Sequence, residues 1–228
     1  MSSKTVNFGL LLLPDHQWLD AAGPVDLINN HSQAYLKALR VEESLVAKAW
    51  PIEWHYISHN LEPVHAGSGP AQLPTHTYDT CPELNYLVVP GPAPLLPLPE
   101  GCVAFLQKLM AQDSFKGLLT VCTASIAVSQ AGILDGLSVC SNKWVLKRLA
   151  GVGRLPKKVK WVGDRRFLVD GKVWSAGGIT AGMDLACEFA RVHFDSELVQ
   201  FVKDVSEYEP NPAQPDPFAK LLEGVDLN

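Results

Sequence analysis

Short runs of apolar residues alternate along this chain with longer stretches whose apolar positions recur at helical spacing. The clearest runs are VNFGLLLL over 6–13, YLVV over 86–89 and GLLTV over 117–121. A continuous apolar run of this length is typical of a strand that is covered on both faces. We predict strands at 6–13, 52–58, 86–89, 117–121, 159–162 and 167–174, the last with a hairpin turn at Asp170-Gly171.

Helices are predicted in most of the segments that separate these strands. Pro24 suits the first position of a helix, which leaves residues 14–23 as a loop. Strands that alternate with helices predict an α/β fold, with a mostly parallel central sheet and helices on both faces. The predicted helices are 24–39, 100–112, 123–133, 142–150, 180–192 and 196–205, and residues 64–78 are expected to form a hairpin or irregular arm.

Length and composition fit one globular domain. The chain has 228 residues, of which 47% are hydrophobic and 19% charged, and a single core can serve a chain of this size. We assign residues 1–208 to one α/β domain and residues 209–228 to a proline-rich tail, expected to be extended or loosely packed. The formal net charge of −5 argues against a nucleic-acid-binding surface.

The apolar run near the start is too short to cross a membrane and has no cleavage site of small residues. We therefore expect a soluble, cytoplasmic protein that does not bind membranes. The five cysteines form no close pairs, and the histidines have no metal-ligand spacing, so neither a disulfide framework nor a metal site is expected. Neither a dinucleotide fingerprint nor a P-loop is present.

Cys122 is the residue whose position most favours chemistry. It lies between an apolar strand and a helix of small residues, as a sharp strand-to-helix turn requires. Ligands bind at the carboxyl ends of strands in such sheets, and the start of a helix is expected to lower a thiol pKa. We interpret Cys122 as a nucleophile, and the alternative is a buried structural cysteine.

Two further features stay open on residue type and spacing alone. Asp20 follows the first strand, so its loop opens at the same sheet edge as Cys122, where an acid can exchange a proton with a thiol. A surface carboxylate or helix cap is the alternative, and spacing by itself favours it. Gly177-Gly178 can either cradle a ligand or allow close packing, of which packing is favoured.

Four motifs, taken in order, resemble the ThiJ/PfpI superfamily, specifically its isocyanide hydratase branch. They are LDAAGP at 19–24, VCTAS at 121–125, AGILDG at 131–136 and GGITAGMD at 177–184. The resemblance covers residues 6 to about 209. It implies a flavodoxin-like three-layer sandwich with a nucleophile elbow, as in glutamine amidotransferases.

The resemblance also implies how the site works. The nucleophile would be Cys122, the catalytic acid/base Asp20, and Thr123 would supply a supporting hydroxyl. It further implies a homodimer that acts on a small molecule and needs no cofactor. The substrate-binding residues expected from this scheme are Gly91, Trp18, Ile179 and Trp144.

Two departures from the family pattern bear on the reaction. The family usually has Pro-Gly-Gly where this chain has Pro90-Gly91-Pro92, and proline cannot donate a backbone N–H. Related sequences often carry a histidine just before the position of Trp144, where this chain has Ser141-Asn142-Lys143.

Three functions follow as hypotheses. The first is hydration of an isocyanide to an N-substituted formamide by the Cys122 thiolate. The second is a glyoxalase-like lyase acting on small reactive carbonyls, which the missing histidine disfavours. The third is a dimer without enzymatic activity, in which Cys122 senses oxidants.

Overall fold

The computed structural model describes residues 4–227, and it has a central sheet between two layers of helices. The strands are β1 (Val6–Leu11), β2 (Ile52–Ser58), β3 (His76–Thr77), β4 (Tyr86–Val89), β5 (Gly117–Thr120), β6 (Ser138–Val139), β7 (Lys160–Trp161), β8 (Phe167–Asp170) and β9 (Val173–Ala176). The α-helices are α1 (Trp18–Asn29), α2 (Gln33–Ala38), α3 (Glu43–Val46), α4 (Cys102–Ala111), α5 (Ala124–Val128), α6 (Lys143–Gly151), α7 (Ala181–His193) and α8 (Ser196–Ser206). Short 3-10 turns follow at Ser129–Ala131 and Ala219–Leu222.

The main sheet has seven strands in the order β3-β2-β1-β4-β5-β9-β8. All neighbouring strands are parallel except β8 and β9, which form the predicted hairpin. Strands β6 and β7 form a separate parallel pair. The predicted α/β class, with a mostly parallel sheet and a flavodoxin-like order, is confirmed.

Successive side chains of each central strand enter opposite layers of the core, as the pleat requires. In β1, Phe8 and Leu10 pack with α1, α7 and α8, whereas Leu11 packs with α4, α5 and α6. In β4, Val88 joins the first layer and Leu87 the second. This burial on both faces explains why these strands have continuous apolar sequences.

The strand order reverses direction at β1, from which the chain builds outward to β2 on one side and to β4 on the other. A reversal of this kind opens a crevice at the carboxyl ends of the two strands, where ligands of such folds bind. The start of α1, the segment 90–92 after β4 and the turn after β5 all lie at this end of the sheet.

The first helix begins earlier than the sequence predicts. It starts at Trp18 and ends at Asn29, so the expected loop over 14–23 is too long and Pro24 lies inside the helix. A proline there removes only one helical hydrogen bond. The neighbouring Gly23 is needed for close packing on α7, because a Cβ on it would lie 2.8 Å from Cγ of Met183.

The segment after residue 209, predicted to be extended or loosely packed, is anchored to the domain at particular points, although most of its side chains stay at least partly exposed. Asp216 forms a 2.6 Å ion pair with Lys143 at the start of α6, and the two side chains are only 1% and 4% exposed. Leu222 packs so closely on Gly163 that a Cβ on that glycine would lie 2.5 Å from its Cδ1. Charge burial of this kind cannot be read from a proline-rich composition. No helix within residues 4–227 is long and apolar enough to cross a membrane.

Candidate active site

Cys122 occupies a sharp turn between β5 and α5, as predicted. Its φ is +59°, a left-handed conformation that is strained for any residue with a Cβ. Two hydrogen bonds hold the turn: the Cys122 N–H donates to the Gly177 carbonyl at 2.9 Å, and the Cys122 carbonyl accepts from the Ser141 hydroxyl at 2.7 Å. The backbone is therefore fixed from both sides, and this fixes where the sulfur points.

Asp20 lies in the first turn of α1 rather than in a loop, and the structure brings it together with Cys122. Its carboxyl is completely buried, and Oδ2 accepts the Gly91 N–H at 3.0 Å. Among the described residues, Oδ1 has no partner in good hydrogen-bond geometry. Burial raises the pKa of Asp20 to about 7, although contacts with Gly91 and Cys122 act in the opposite direction.

The Cys122 thiol does not have the lowered pKa that its place before a helix predicts. Burial, and secondarily the Asp20 carboxylate, raise its pKa to about 11. The side chain is only 8% exposed, and α5 has just five residues, so desolvation outweighs the helix terminus. At neutral pH the thiol is therefore protonated, and a nearby base has to activate it.

Three donors surround the sulfur and partly offset this effect. They are the backbone N–H groups of Ile179 and Thr123 and the side-chain amide of Asn142, whose Nδ2 lies 3.5 Å from Sγ. They are placed to stabilise negative charge as it forms on sulfur. Two of these donors are backbone N–H groups, which residue types alone do not reveal.

Asn142 is the site residue that the sequence analysis missed. Its Oδ1 accepts the Val145 N–H at 3.1 Å and so caps α6, while its Nδ2 points to the sulfur. A Cβ on Gly178 would lie 2.8 Å from Nδ2. This contact fits the close packing that was favoured for the glycine pair, and Gly178 also lines the cavity described below. An asparagine directly before a helical run was the available signal.

The segment after β4 also supports the site, in spite of its second proline. The Thr123 hydroxyl donates to the Pro92 carbonyl at 2.6 Å, so this hydroxyl is engaged in holding the loop. A Cβ on Gly91 would lie 2.6 Å from Thr123 Oγ1 and 2.8 Å from Asp20 Oδ2. Only glycine fits there, and its contact is with Asp20.

The four residues expected to bind substrate lie in different places. Ile179 and Trp144 line a cavity of about 320 Å³, which Asn142 connects to the sulfur. Trp18 packs against Gly69, and Gly91 lies against Asp20. Across residues 4–227, no cluster of three or more histidine, cysteine or acidic side chains is placed to hold a metal ion.

Comparison with known proteins gives the same family over most of the chain. Residues 40–192 match the DJ-1/PfpI family. The isonitrile hydratase of Pseudomonas putida is 30% identical over 209 residues, which are 91% of this chain and 80% of that protein. The transcriptional regulator GbdR of Pseudomonas aeruginosa, of the helix-turn-helix type, is 29% identical over 157 residues, which are 68% of this chain and only 41% of the regulator.

A solved structure of a ThiJ/PfpI family protein from Pseudomonas syringae has the same fold. It superposes with a TM-score of 0.64 at 23% identity, covering 92% of this chain and 77% of that one. At this identity the likeness supports the fold alone.

Proposed function

The chain belongs to the DJ-1/PfpI family, and from that premise we propose that it is a cofactor-independent hydratase, which adds water to an isocyanide and releases an N-substituted formamide. One observation carries the proposal: a buried carboxyl with a pKa of about 7 lies beside a protonated thiol on a strained turn. The similarity to isonitrile hydratase over 91% of the chain supports the same reaction.

In the first half of the reaction, the Asp20 carboxylate takes the proton of the Cys122 thiol. Sulfur then uses its electron pair to form a bond to the terminal carbon of the isocyanide. The proton passes from Asp20 to that same carbon. The product is a thioimidate, in which one carbon bears the sulfur, the hydrogen and a double bond to the N–R nitrogen.

In the second half, water adds to the thioimidate carbon while Asp20 accepts one of its protons. Asp20 passes this proton to the nitrogen. The C–S bond then breaks as the C=O bond forms, and the remaining O–H proton of the added water goes to the sulfur. The sum is one isocyanide and one water consumed and one formamide released. Asp20 acts as base and acid in turn, and a pKa of about 7 suits both roles at neutral pH.

The donors around the sulfur stabilise charge on the thiolate as it forms and as it leaves. The donors are the backbone N–H groups of Ile179 and Thr123 and the amide of Asn142, and all three point at the sulfur. The proposed reaction needs none of them to stabilise a carbonyl oxygen of the substrate. This arrangement reduces the importance of the N–H that Pro92 lacks, because an isocyanide presents no carbonyl oxygen to stabilise.

The two other hypotheses receive less support from the geometry. A glyoxalase-like reaction usually relies on a histidine near the nucleophile, and here Asn142 contacts the sulfur instead. An oxidant sensor needs a thiolate at neutral pH, whereas burial raises the pKa of Cys122 to about 11. A cytoplasmic homodimer remains part of the proposal.

The proposal is tested by assaying isocyanides and α-oxoaldehydes with the wild type and with Cys122→Ala and Asp20→Asn. We expect formamide from the wild type only, detected by chromatography and mass spectrometry. Unchanged formamide production by Cys122→Ala contradicts the mechanism. Lactate from methylglyoxal without formamide selects the lyase, and rapid oxidation of Cys122 by peroxide without turnover selects the sensor.

A further inference from the structure

We propose that the segment 216–222, here called the tail strap, forms one wall of the substrate cavity, and that Phe218 and Leu221 select isocyanides with a bulky apolar N-substituent. The inference rests on the proposed function, because it assigns the part of the substrate that does not react. Phe218 and Leu221 lie outside the motifs that identify the family.

The cavity is connected to the reacting sulfur through two residues that contact both, and Cys122 itself does not line it. Asn142 contacts Sγ through its amide, and Ile179 donates its backbone N–H to the same atom. Both residues also line the cavity of about 320 Å³, whose other side is formed by Phe218 and Leu221 of the tail strap. In this proposal, a substrate whose terminal carbon meets the sulfur has its N-substituent in this cavity, between Ile179 and the tail strap.

The tail strap is held firmly enough to act as a wall. Asp216 uses Oδ2 for the buried ion pair with Lys143 and Oδ1 to accept the Phe218 N–H at 3.0 Å. Lys143 also donates to the Arg165 carbonyl at 2.8 Å. The turn that carries Phe218 is therefore fixed to the start of α6, the helix that Asn142 caps.

The polar groups of the cavity are already engaged by the protein. Asn142 uses its amide for the sulfur and for the start of α6, and Lys143 is paired with the tail strap. Arg166 is paired with the buried Asp184. A polar substituent would lose its hydration without gaining partners, whereas an apolar one gains from leaving water. The chemistry of the lining thus favours a hydrocarbon ring or branched chain.

The experiment compares cyclohexyl isocyanide with methyl isocyanide, using the full chain. We expect the wild type to prefer the cyclohexyl compound. Phe218→Ala and Leu221→Ala are each expected to lower kcat/KM for it about tenfold, mainly through KM, because apolar pocket contacts change specificity by this order. Turnover of methyl isocyanide should stay within about twofold. Val152→Ala, an exposed apolar truncation just after α6, is the matched control and should change neither value.

A binding measurement separates failure of this inference from failure of the proposed function. Calorimetry on Cys122→Ala, alone and combined with Phe218→Ala, gives the affinity for both isocyanides without turnover. About tenfold weaker cyclohexyl binding on loss of Phe218 supports the wall, even if the wild type turns over neither compound. Normal turnover with unchanged discrimination in the tail-strap variants overturns the inference and leaves the proposed function intact.

Discussion

Replacing Asp20 by asparagine is expected to stabilise the fold and stop the reaction. The carboxyl is completely buried, and its pKa is raised from 3.8 to about 7, mainly by burial. The folded protein thus holds this proton more tightly than the unfolded chain does. Between about pH 4 and pH 7 folding takes up a proton, so stability falls as the pH rises and levels off above the folded-state pKa.

The magnitude follows from the two pKa values. Each tenfold change in the protonation equilibrium corresponds to about 1.4 kcal/mol, so moving the pKa from 3.8 to about 7 gives ~4 kcal/mol as an upper bound. Asparagine has nearly the same shape, its oxygen can still accept the Gly91 N–H, and it carries no charge to desolvate. It should therefore recover most of this free energy at alkaline pH and little near pH 4.

The assay is urea unfolding of the wild type and Asp20→Asn at several pH values from about 4 to 8. The difference in unfolding free energy should grow steadily over this range, while formamide production by the variant is lost. Asp79→Asn, which removes an exposed carboxyl, is the control and should shift stability by less than ~0.5 kcal/mol at every pH. A stability difference that does not depend on pH would refute the raised pKa.

The remaining predictions concern the reaction and the packing around it. The wild-type kcat/KM should rise through about pH 7 as Asp20 ionises and fall toward pH 11 as the Cys122 thiol ionises. The reason is that the active form needs an ionised Asp20 carboxylate and a protonated Cys122 thiol. A kcat/KM that does not change with pH contradicts this prediction. Asn142→Asp keeps the helix cap but puts a carboxylate beside the sulfur, so kcat/KM should fall at least about tenfold while the unfolding free energy changes by less than ~1 kcal/mol. Asp216→Asn leaves the buried Lys143 ammonium without its charged partner, which should lower the unfolding free energy in urea by ~3–5 kcal/mol. The double variant Lys143→Met/Asp216→Leu should recover most of this free energy. Equal losses of stability in the single and the double variant would argue against a charge effect.

The main features of the fold could be predicted because burial on both faces leaves a clear pattern. Leu87 and Val88 belong to opposite core layers, and the strand containing them was predicted with the bounds that the structure has. The start of α1 was missed because Pro24 suits a first helical position. The packing of α1 on α7 is visible only in three dimensions. Local signals thus located the strands better than the helix ends.

The site was predictable where topology determines it. The rule that parallel strands end at one edge allowed Cys122 and Asp20 to meet, but spacing favoured a surface carboxylate for Asp20, and that preference was wrong because the carboxyl is completely buried beside Cys122. The thiol pKa was predicted in the wrong direction, since sequence shows that a helix follows but not how deeply the sulfur is buried. Asn142 and the packing of Asp216 were missed because each depends on a contact between distant segments.

The buried pair of Lys143 and Asp216 has a consequence for how the protein matures. A chain leaves the ribosome from its amino end, so the sheet and its flanking helices can assemble while residues 216–222 have yet to be made. Until then the ammonium group of Lys143 has to remain hydrated, because burying it alone is unfavourable. Arrival of residues 216–222 neutralises that charge and adds Phe218 and Leu221 to the cavity lining, so this cavity forms only after the sheet and its flanking helices are in place.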